Sequence, residues 1–84
     1  MSKLEKEIER LKSKPRDYTY EEAKSLLNKL GFYENNKGKT SGSRVEFQDV
    51  YGRTLMLHKP HPSNIIKAYK VNDILNNLRE WRLI

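Results

Sequence analysis

The chain contains two histidines, His58 and His61, which stand three residues apart in a segment that also holds two prolines. Imidazole exchanges protons near neutral pH, so such a pair could perform general acid–base chemistry. A lone histidine is more often structural than catalytic, but the basic loop nearby favours a functional role. No zinc site is expected, because Asp49 is the nearest carboxylate and too few ligands are available.

The residues around His58 predict how it is positioned. Arg44–Gln48 and Thr54–His58 both alternate in polarity, which is typical of half-buried strands. A three-residue loop with Gly52 in the left-handed conformation would join them into a hairpin. The resulting register places apolar pairs on one face and mainly polar pairs on the other. The predicted pairs are Phe47 with Leu55, Val45 with Leu57, Gln48 with Thr54, Glu46 with Met56, and Arg44 with His58.

The predicted pairing of Arg44 with His58 suggests a chemistry, namely the metal-free cleavage of RNA. That reaction needs a base that takes the proton of the ribose 2′-OH and a cation that holds the phosphorane. His58 could be this base, and Arg44 could bind the phosphate through two parallel hydrogen bonds. Alternatively, Arg44 pairs with Glu46 or with a partner's carboxylate, and His58 only fills a strand position.

Positive charge is concentrated in the middle of the chain. The net charge is +6, and five of these six charges fall between Lys37 and Lys70, where seven basic and two acidic residues lie. Such a stretch suits a phosphate backbone or an acidic protein partner, with solubility alone as the alternative. Within it, the polar residues 35–43 could bind an anion through backbone N–H groups, although they lack the spacing of a P-loop.

The N-terminal residues predict a short helix that ends before Pro15. Ser2 begins it in a capping-box pattern. Leu4, Ile8 and Leu11 then form a narrow apolar stripe. A helix this short is only marginally stable unless its apolar stripe packs against another surface. Packing on its own domain is expected, and the alternatives are a second copy, as in a homodimer, or a partner protein.

The remaining elements are predicted from caps and periodicity. Thr19–Glu22 is a capping box that begins a second helix, and Gly31 ends it. Phe32–Glu34 forms a short strand, and the two prolines keep residues 59–64 extended. The last helix begins near residues 69–70 and is amphipathic. Its apolar face consists of Val71, Ile74, Leu75, Leu78 and Trp81.

The predicted order of helix, helix, strand, strand, strand and helix favours an α+β fold. We expect a three-stranded antiparallel sheet with the helices packed on one face. The other face stays open to solvent and carries Arg44, Glu46, Gln48, Thr54, Met56 and His58. Tyr33, Tyr51 and Tyr69 could stack on exposed bases, but we expect at least one of them in the core.

A length of 84 residues predicts one domain and excludes a deep cleft between domains. A site must therefore lie on an open surface or be completed by a partner. The absence of cysteine excludes disulfide scaffolds, cysteine-bound zinc and thiol nucleophiles. No apolar run is long enough for a membrane span or a signal sequence, so we expect a soluble, cytoplasmic protein without a membrane partner.

Four segments together resemble a known family. They are Leu30–Phe32, Lys37–Arg44, Leu57–Pro62 and the helix near residues 70–78. In this order, over residues 17–80, they resemble the HicA family of toxin–antitoxin mRNA interferases. The resemblance implies a double-stranded-RNA-binding-like fold, cleavage of mRNA without a cofactor, and neutralisation by a HicB-type antitoxin.

One position departs from the family pattern. The family's catalytic histidine directly follows a Gly-Ser pair, and here that position is Arg44, which cannot act as a base. Either His58 supplies the base from the facing strand, or this Gly-Ser-Arg variant binds RNA or its antitoxin without cutting. The resemblance also divides the chain into an N-terminal helical extension, residues 1–16, and a HicA-like domain, residues 17–84.

The sequence thus predicts a mRNA endoribonuclease whose catalytic residues are His58 as base, Arg44 as phosphate ligand and His61 as acid or structural residue. The predicted partners are RNA and a HicB-like antitoxin. The predicted RNA-binding residues are Lys37, Lys39, Ser41, Ser43, Arg53, Lys59 and Lys67.

Overall fold

A computed structural model describes residues 3–35, 44–58 and 63–84, and within these ranges the elements follow the predicted order. Several predicted features lie outside the described residues: the Ser2 cap, the polar segment beyond residue 35, and the two prolines of residues 59–62. The helices are α1 (Lys3–Lys12), α2 (Tyr20–Lys29) and α3 (Ala68–Glu80), and the strands are β1 (Tyr33–Asn35), β2 (Arg44–Gln48) and β3 (Thr54–His58).

Both ends of α2 form as the local sequence predicts. The Thr19 hydroxyl accepts a hydrogen bond from the Glu22 backbone N–H at 3.2 Å, and the Glu22 carboxylate accepts one from the Thr19 N–H at 3.0 Å. At the other end Gly31 adopts a φ of +97°, where a side chain would be strained. The Phe32 N–H donates to the Leu27 carbonyl at 2.8 Å. Phe32 therefore closes the helix, and β1 begins one residue later than predicted.

The sheet has the strand order β1-β2-β3 and is antiparallel throughout. All five predicted pairs between β2 and β3 are present, including Arg44 with His58. The hairpin loop is also as predicted, because the Asp49 N–H donates to the Arg53 carbonyl at 3.1 Å and Gly52 has a φ of +82°. Period-two alternation and the turn geometry thus agree on one register.

The apolar face of the sheet packs against the helices in one core. Val45, Phe47, Leu55 and Leu57 are buried there. The opposite face is half-buried or exposed at all six predicted positions. The α+β architecture, with three helices and an open three-stranded antiparallel sheet, is confirmed and is consistent with the double-stranded-RNA-binding-like fold. No described helix is long and apolar enough to cross a membrane.

Helix α1 packs on its own domain, as expected from the sequence. Leu11 is fully buried in the common core, and Leu4 and Ile8 are packed against it. Arg10 forms ion pairs with Glu22 of α2 and with Asp17. The N-terminal helix is therefore joined to the rest of the domain by both apolar and polar contacts.

A short antiparallel bridge joins the segment before α2 to the segment before α3. Thr19 pairs with Ile65. The Ile66 N–H donates to the Tyr18 carbonyl at 2.7 Å, and the Tyr20 N–H donates to the Asn64 carbonyl at 3.0 Å. This bridge, which nothing local in the sequence predicted, holds the connector after α1 beside the beginning of α3.

The expectation that one of three tyrosines lies in the core was wrong. Tyr33, Tyr51 and Tyr69 are 62%, 80% and 65% exposed. Tyr33 lies on the open face of the sheet, Tyr51 in the hairpin loop, and Tyr69 in the first turn of α3. The core instead takes Tyr18 and Tyr20, which flank the bridge to Ile65.

Candidate functional site

The structure places Arg44 and His58 as predicted, on the same face of the sheet. They are directly opposed residues of β2 and β3, at the end of the hairpin away from its loop. Both side chains are exposed, as polar residues on the open face of a half-buried sheet should be. An arginine and a histidine can therefore reach the same bound molecule from the solvent.

His58 also lines a groove of about 780 Å³ between β3 and the beginning of α3. Three cationic side chains and one exposed aromatic ring share this groove with it. The groove residues are Arg16, His58, Ser63, Ile65, Ile66, Lys67, Ala68, Tyr69 and Lys70. The bridge of Thr19 with Ile65 explains how Arg16, distant in sequence, comes to lie here.

The groove has a strongly positive character. Among the described residues that line it there is no carboxylate. The charge of Lys70 is partly compensated, since its Nζ lies 3.7 Å from an Asp73 oxygen. Arg16 and Lys67 also line the groove and are exposed. The first turn of α3 contains no acidic residue and its N-cap Lys67 makes no side-chain cap, so the helix dipole adds to the positive potential.

Such an arrangement can perform two tasks. Cationic side chains and the helix dipole can hold a phosphate, and imidazole can accept a proton from a hydroxyl bound beside it. Because His58, Lys67 and Tyr69 are exposed, the groove is open to solvent. Among the described residues no group of three or more histidines and carboxylates could hold a metal ion.

The predicted site residues separate into three groups. Lys67 lines the groove together with His58, and Arg44 lies directly opposite His58 in the neighbouring strand. Arg53 lies at the other end of the hairpin, where it is paired with Asp49 and is only 26% exposed. The others lie outside the described residues, and their roles stay predictions; they are Lys37, Lys39, Ser41, Ser43, Lys59 and His61.

Sequence reasoning did not single out two groove residues, Arg16 and Lys70, as site candidates. Lys70 was noted only as part of the basic stretch, whereas Tyr69 was named as an aromatic that could stack. Arg16 was assigned to the N-terminal extension and given no role. Its position depends on the hydrogen bonds between residues 18–20 and 64–66, and no periodic pattern reports such a bridge.

A second cavity, of about 240 Å³, lies between α1 and α2 and is a weaker candidate. Both carboxylates that line it are already engaged: Glu22 pairs with Arg10, and Glu7 pairs at 2.7 Å with Lys29, which lies outside the lining. Hydrogen bonding from Arg10 lowers the pKa of Glu22 more than burial raises it. Burial raises the pKa of Tyr18, so its hydroxyl stays protonated and offers no base.

The family relationship rests on a match to one family model. Residues 20–79, which run from the first turn of α2 to the last turn of α3, match the model described as the HicA toxin of bacterial toxin–antitoxin systems. No curated protein and no solved structure gave a significant match. The match covers more than two thirds of the chain, including the sheet, His58 and most of the groove. The chain belongs to the HicA family of toxins from bacterial toxin–antitoxin systems.

Proposed function

We propose that this toxin is an endoribonuclease that cleaves mRNA with His58 as its general base. The observation that carries the proposal is the position of His58, directly opposite Arg44 in the sheet and at the edge of a groove lined by further cations. A base beside several phosphate ligands is what cleavage by the ribose 2′-OH requires.

The proposed reaction is an internal transfer. His58 takes the proton of a ribose 2′-OH, and that oxygen attacks the adjacent phosphorus. The bond from phosphorus to the 5′ oxygen breaks, which leaves a 2′,3′-cyclic phosphate and a 5′-OH. Arg44 binds the phosphorane oxygens, with Lys39 as a second predicted ligand. The departing oxygen takes a proton from His61 or from water.

A toxin of this class has an antitoxin as its partner. We propose that this partner is HicB-like and that it binds the positive surface containing Arg44 and the groove. Acidic side chains would be attracted there by the same cations that hold phosphate. Inhibition then follows by direct competition with RNA.

A second function is favoured by one feature, the arginine at the position of the family's catalytic histidine. The chain could bind RNA, or dock its antitoxin, without cutting. The groove and its charge serve this alternative equally well. Steep salt dependence of RNA binding would indicate several phosphate contacts and thus a true RNA-binding module.

The deciding experiment compares four proteins on a long end-labelled RNA in EDTA: the wild type, His58→Ala, Arg44→Ala and Arg79→Ala. We expect cleavage by the wild type and a loss of about 10²-fold or more for His58→Ala, the usual contribution of a general base. Arg44→Ala should also be slowed, because it loses a ligand of the phosphorane. Arg79 is an exposed arginine in the last turn of α3, away from the groove, so its variant is the matched control.

Added imidazole provides a sharper readout of the role of His58. It should restore part of the cleavage by His58→Ala, since a free base can occupy the vacated position, and it should not rescue Arg44→Ala. Equal cleavage by the wild type and His58→Ala would contradict the base assignment. Intact RNA that is nevertheless bound would support the non-cleaving alternative.

A further inference from the structure

We propose that the groove beside His58 is a binding site for one unpaired nucleotide, with Arg16 and Lys67 on its phosphate and Tyr69 stacked on its base. The inference deepens the proposed function, because it places the nucleotide next to the bond that is cleaved. Its role in catalysis rests on that proposed function. It also extends the site beyond the family match, since Arg16 precedes residue 20.

Arg16 is held at the groove by its neighbours in the connector. On one side Asp17 accepts hydrogen bonds from Arg10 through its carboxylate at 3.1 Å and its carbonyl at 3.3 Å. Further along, Tyr18 is buried and its carbonyl accepts the Ile66 N–H. The two segments run antiparallel at this bridge, so the residues before Tyr18 lie towards those after Ile66. Arg16 and Lys67 accordingly line the same groove.

Tyr69 is positioned as a stacking platform. Its ring is 65% exposed in the first turn of α3, so it contributes little to the core. It lines the groove together with the cationic side chains of Arg16, Lys67 and Lys70. An exposed aromatic ring within a cationic groove is the combination with which proteins bind single-stranded nucleic acid. Bases of a duplex are already stacked and paired, so only an unpaired base can cover Tyr69.

An acidic peptide is the competing occupant of a cationic groove. It would use Arg16 and Lys67 but would gain little from a flat ring. The ring and the cations together therefore favour a nucleotide. The two occupants are separated by the response to Tyr69 substitutions, which should be large only for a stacked base.

The test measures fluorescence anisotropy with a labelled twelve-nucleotide RNA that carries 2′-O-methyl groups. This RNA cannot be cleaved, because the attacking hydroxyl is blocked, so binding is measured apart from catalysis. The proteins are wild type, Arg16→Ala, Tyr69→Ala, Tyr69→Phe and the control Arg79→Ala. Circular dichroism confirms folding, which these exposed positions should not disturb.

We expect Tyr69→Ala to bind about tenfold more weakly, Tyr69→Phe to bind as the wild type does, and pairing of the RNA with its complement to remove the difference. Arg16→Ala should weaken binding and lower the slope of log affinity against log salt by about 0.7, the contribution of one phosphate contact in a single strand. Arg79→Ala should change neither quantity.

The outcomes separate the inference from the function. If Arg16→Ala and Tyr69→Ala bind as tightly as the wild type while long RNA is still cleaved, the inference is wrong and the function stands. If both lose affinity but no RNA is cleaved, the nucleotide site stands and the endonuclease fails. A wild type that does not bind the oligonucleotide also overturns the inference.

Discussion

Asp49 shows, at the scale of single residues, how this small domain fixes its hairpin. The carboxylate is buried where β2 ends, and it accepts hydrogen bonds from the Tyr51 N–H at 3.0 Å, the Arg53 N–H at 2.9 Å and the Arg53 Nε at 2.6 Å. Burial disfavours its charge, but these hydrogen bonds outweigh burial and lower the pKa of Asp49. The guanidinium also lies near the rings of Tyr51 and Trp81. Arg53 thus has a structural role, whatever it contributes to RNA binding.

Asp49→Asn should lower the free energy of unfolding. The amide keeps the size of the side chain, but it removes the charge that strengthens the bond to Arg53 and cannot accept all three hydrogen bonds equally. Urea unfolding at pH 7 measures the effect. Val50→Ala, at a neighbouring side chain that is 88% exposed, is the control and should leave the midpoint nearly unchanged. An unchanged midpoint for Asp49→Asn would show that the charge of Asp49 and its hydrogen bonds to Tyr51 and Arg53 do not stabilise the fold.

The residues of the site differ in how far sequence could predict them. The opposition of Arg44 and His58 follows from period-two alternation and one turn, both of which are local. The presence of Arg16 in the groove depends on backbone hydrogen bonds between segments that are more than forty residues apart. Such contacts are set by the packed core, and the charge of Arg16 gave no sign of them.

At the scale of elements, α1 is an integral part of the domain although the family match begins after it. Leu11 is fully buried in the same core as α2 and α3. Glu7 of α1 accepts a hydrogen bond from Ser25 of α2 at 2.6 Å and pairs with Lys29. The division into an N-terminal helical extension, residues 1–16, and a HicA-like domain, residues 17–84, stays a prediction.

Leu11→Ala should cost about 2–5 kcal/mol of unfolding free energy, the range for a fully buried leucine whose cavity cannot collapse. Leu4→Ala, on the same stripe but only partly buried, should cost clearly less. Urea unfolding followed by circular dichroism compares the two variants. Equal and small effects would mean that α1 packs only loosely on the domain. The position of Arg16, which follows α1 and lines the groove, would then be less firmly fixed.

Elements with strong local signals were predicted well. The capping box at Thr19, the glycine that ends α2 and the β2–β3 hairpin all formed, because each depends on residues close together in the chain. Strand β1 begins one residue later than predicted, and α3 begins one or two residues earlier. In β1 the reason is the hydrogen bond of Phe32 to Leu27, which closes a helix rather than extending a strand.

At the scale of the whole molecule, charge is distributed in two different ways. Around α1 and α2, Arg10 and Lys29 are paired with carboxylates that lie between the helices. Around the groove, Arg16 and Lys67 face solvent without a carboxylate among the described lining residues. The first arrangement stabilises the fold, and the second leaves positive potential available for a ligand.

The paired carboxylates predict that stability falls in acid. The pKa values of Glu7, Glu22 and Asp49 are lowered from ordinary values of 4.5, 4.5 and 3.8. As the pH falls below about 5, the unfolded chain therefore takes up protons before the folded one does, and the unfolding free energy decreases until the folded groups are also protonated. Urea midpoints at pH 7, 5 and 3 should be similar at the first two values and lower at the third.

Glu22→Gln should be less stable at pH 7 and should lose part of this dependence of stability on pH, whereas the exposed Asn76→Ala should keep it. A midpoint that does not fall between pH 5 and 3 would mean that these ion pairs contribute no net stability.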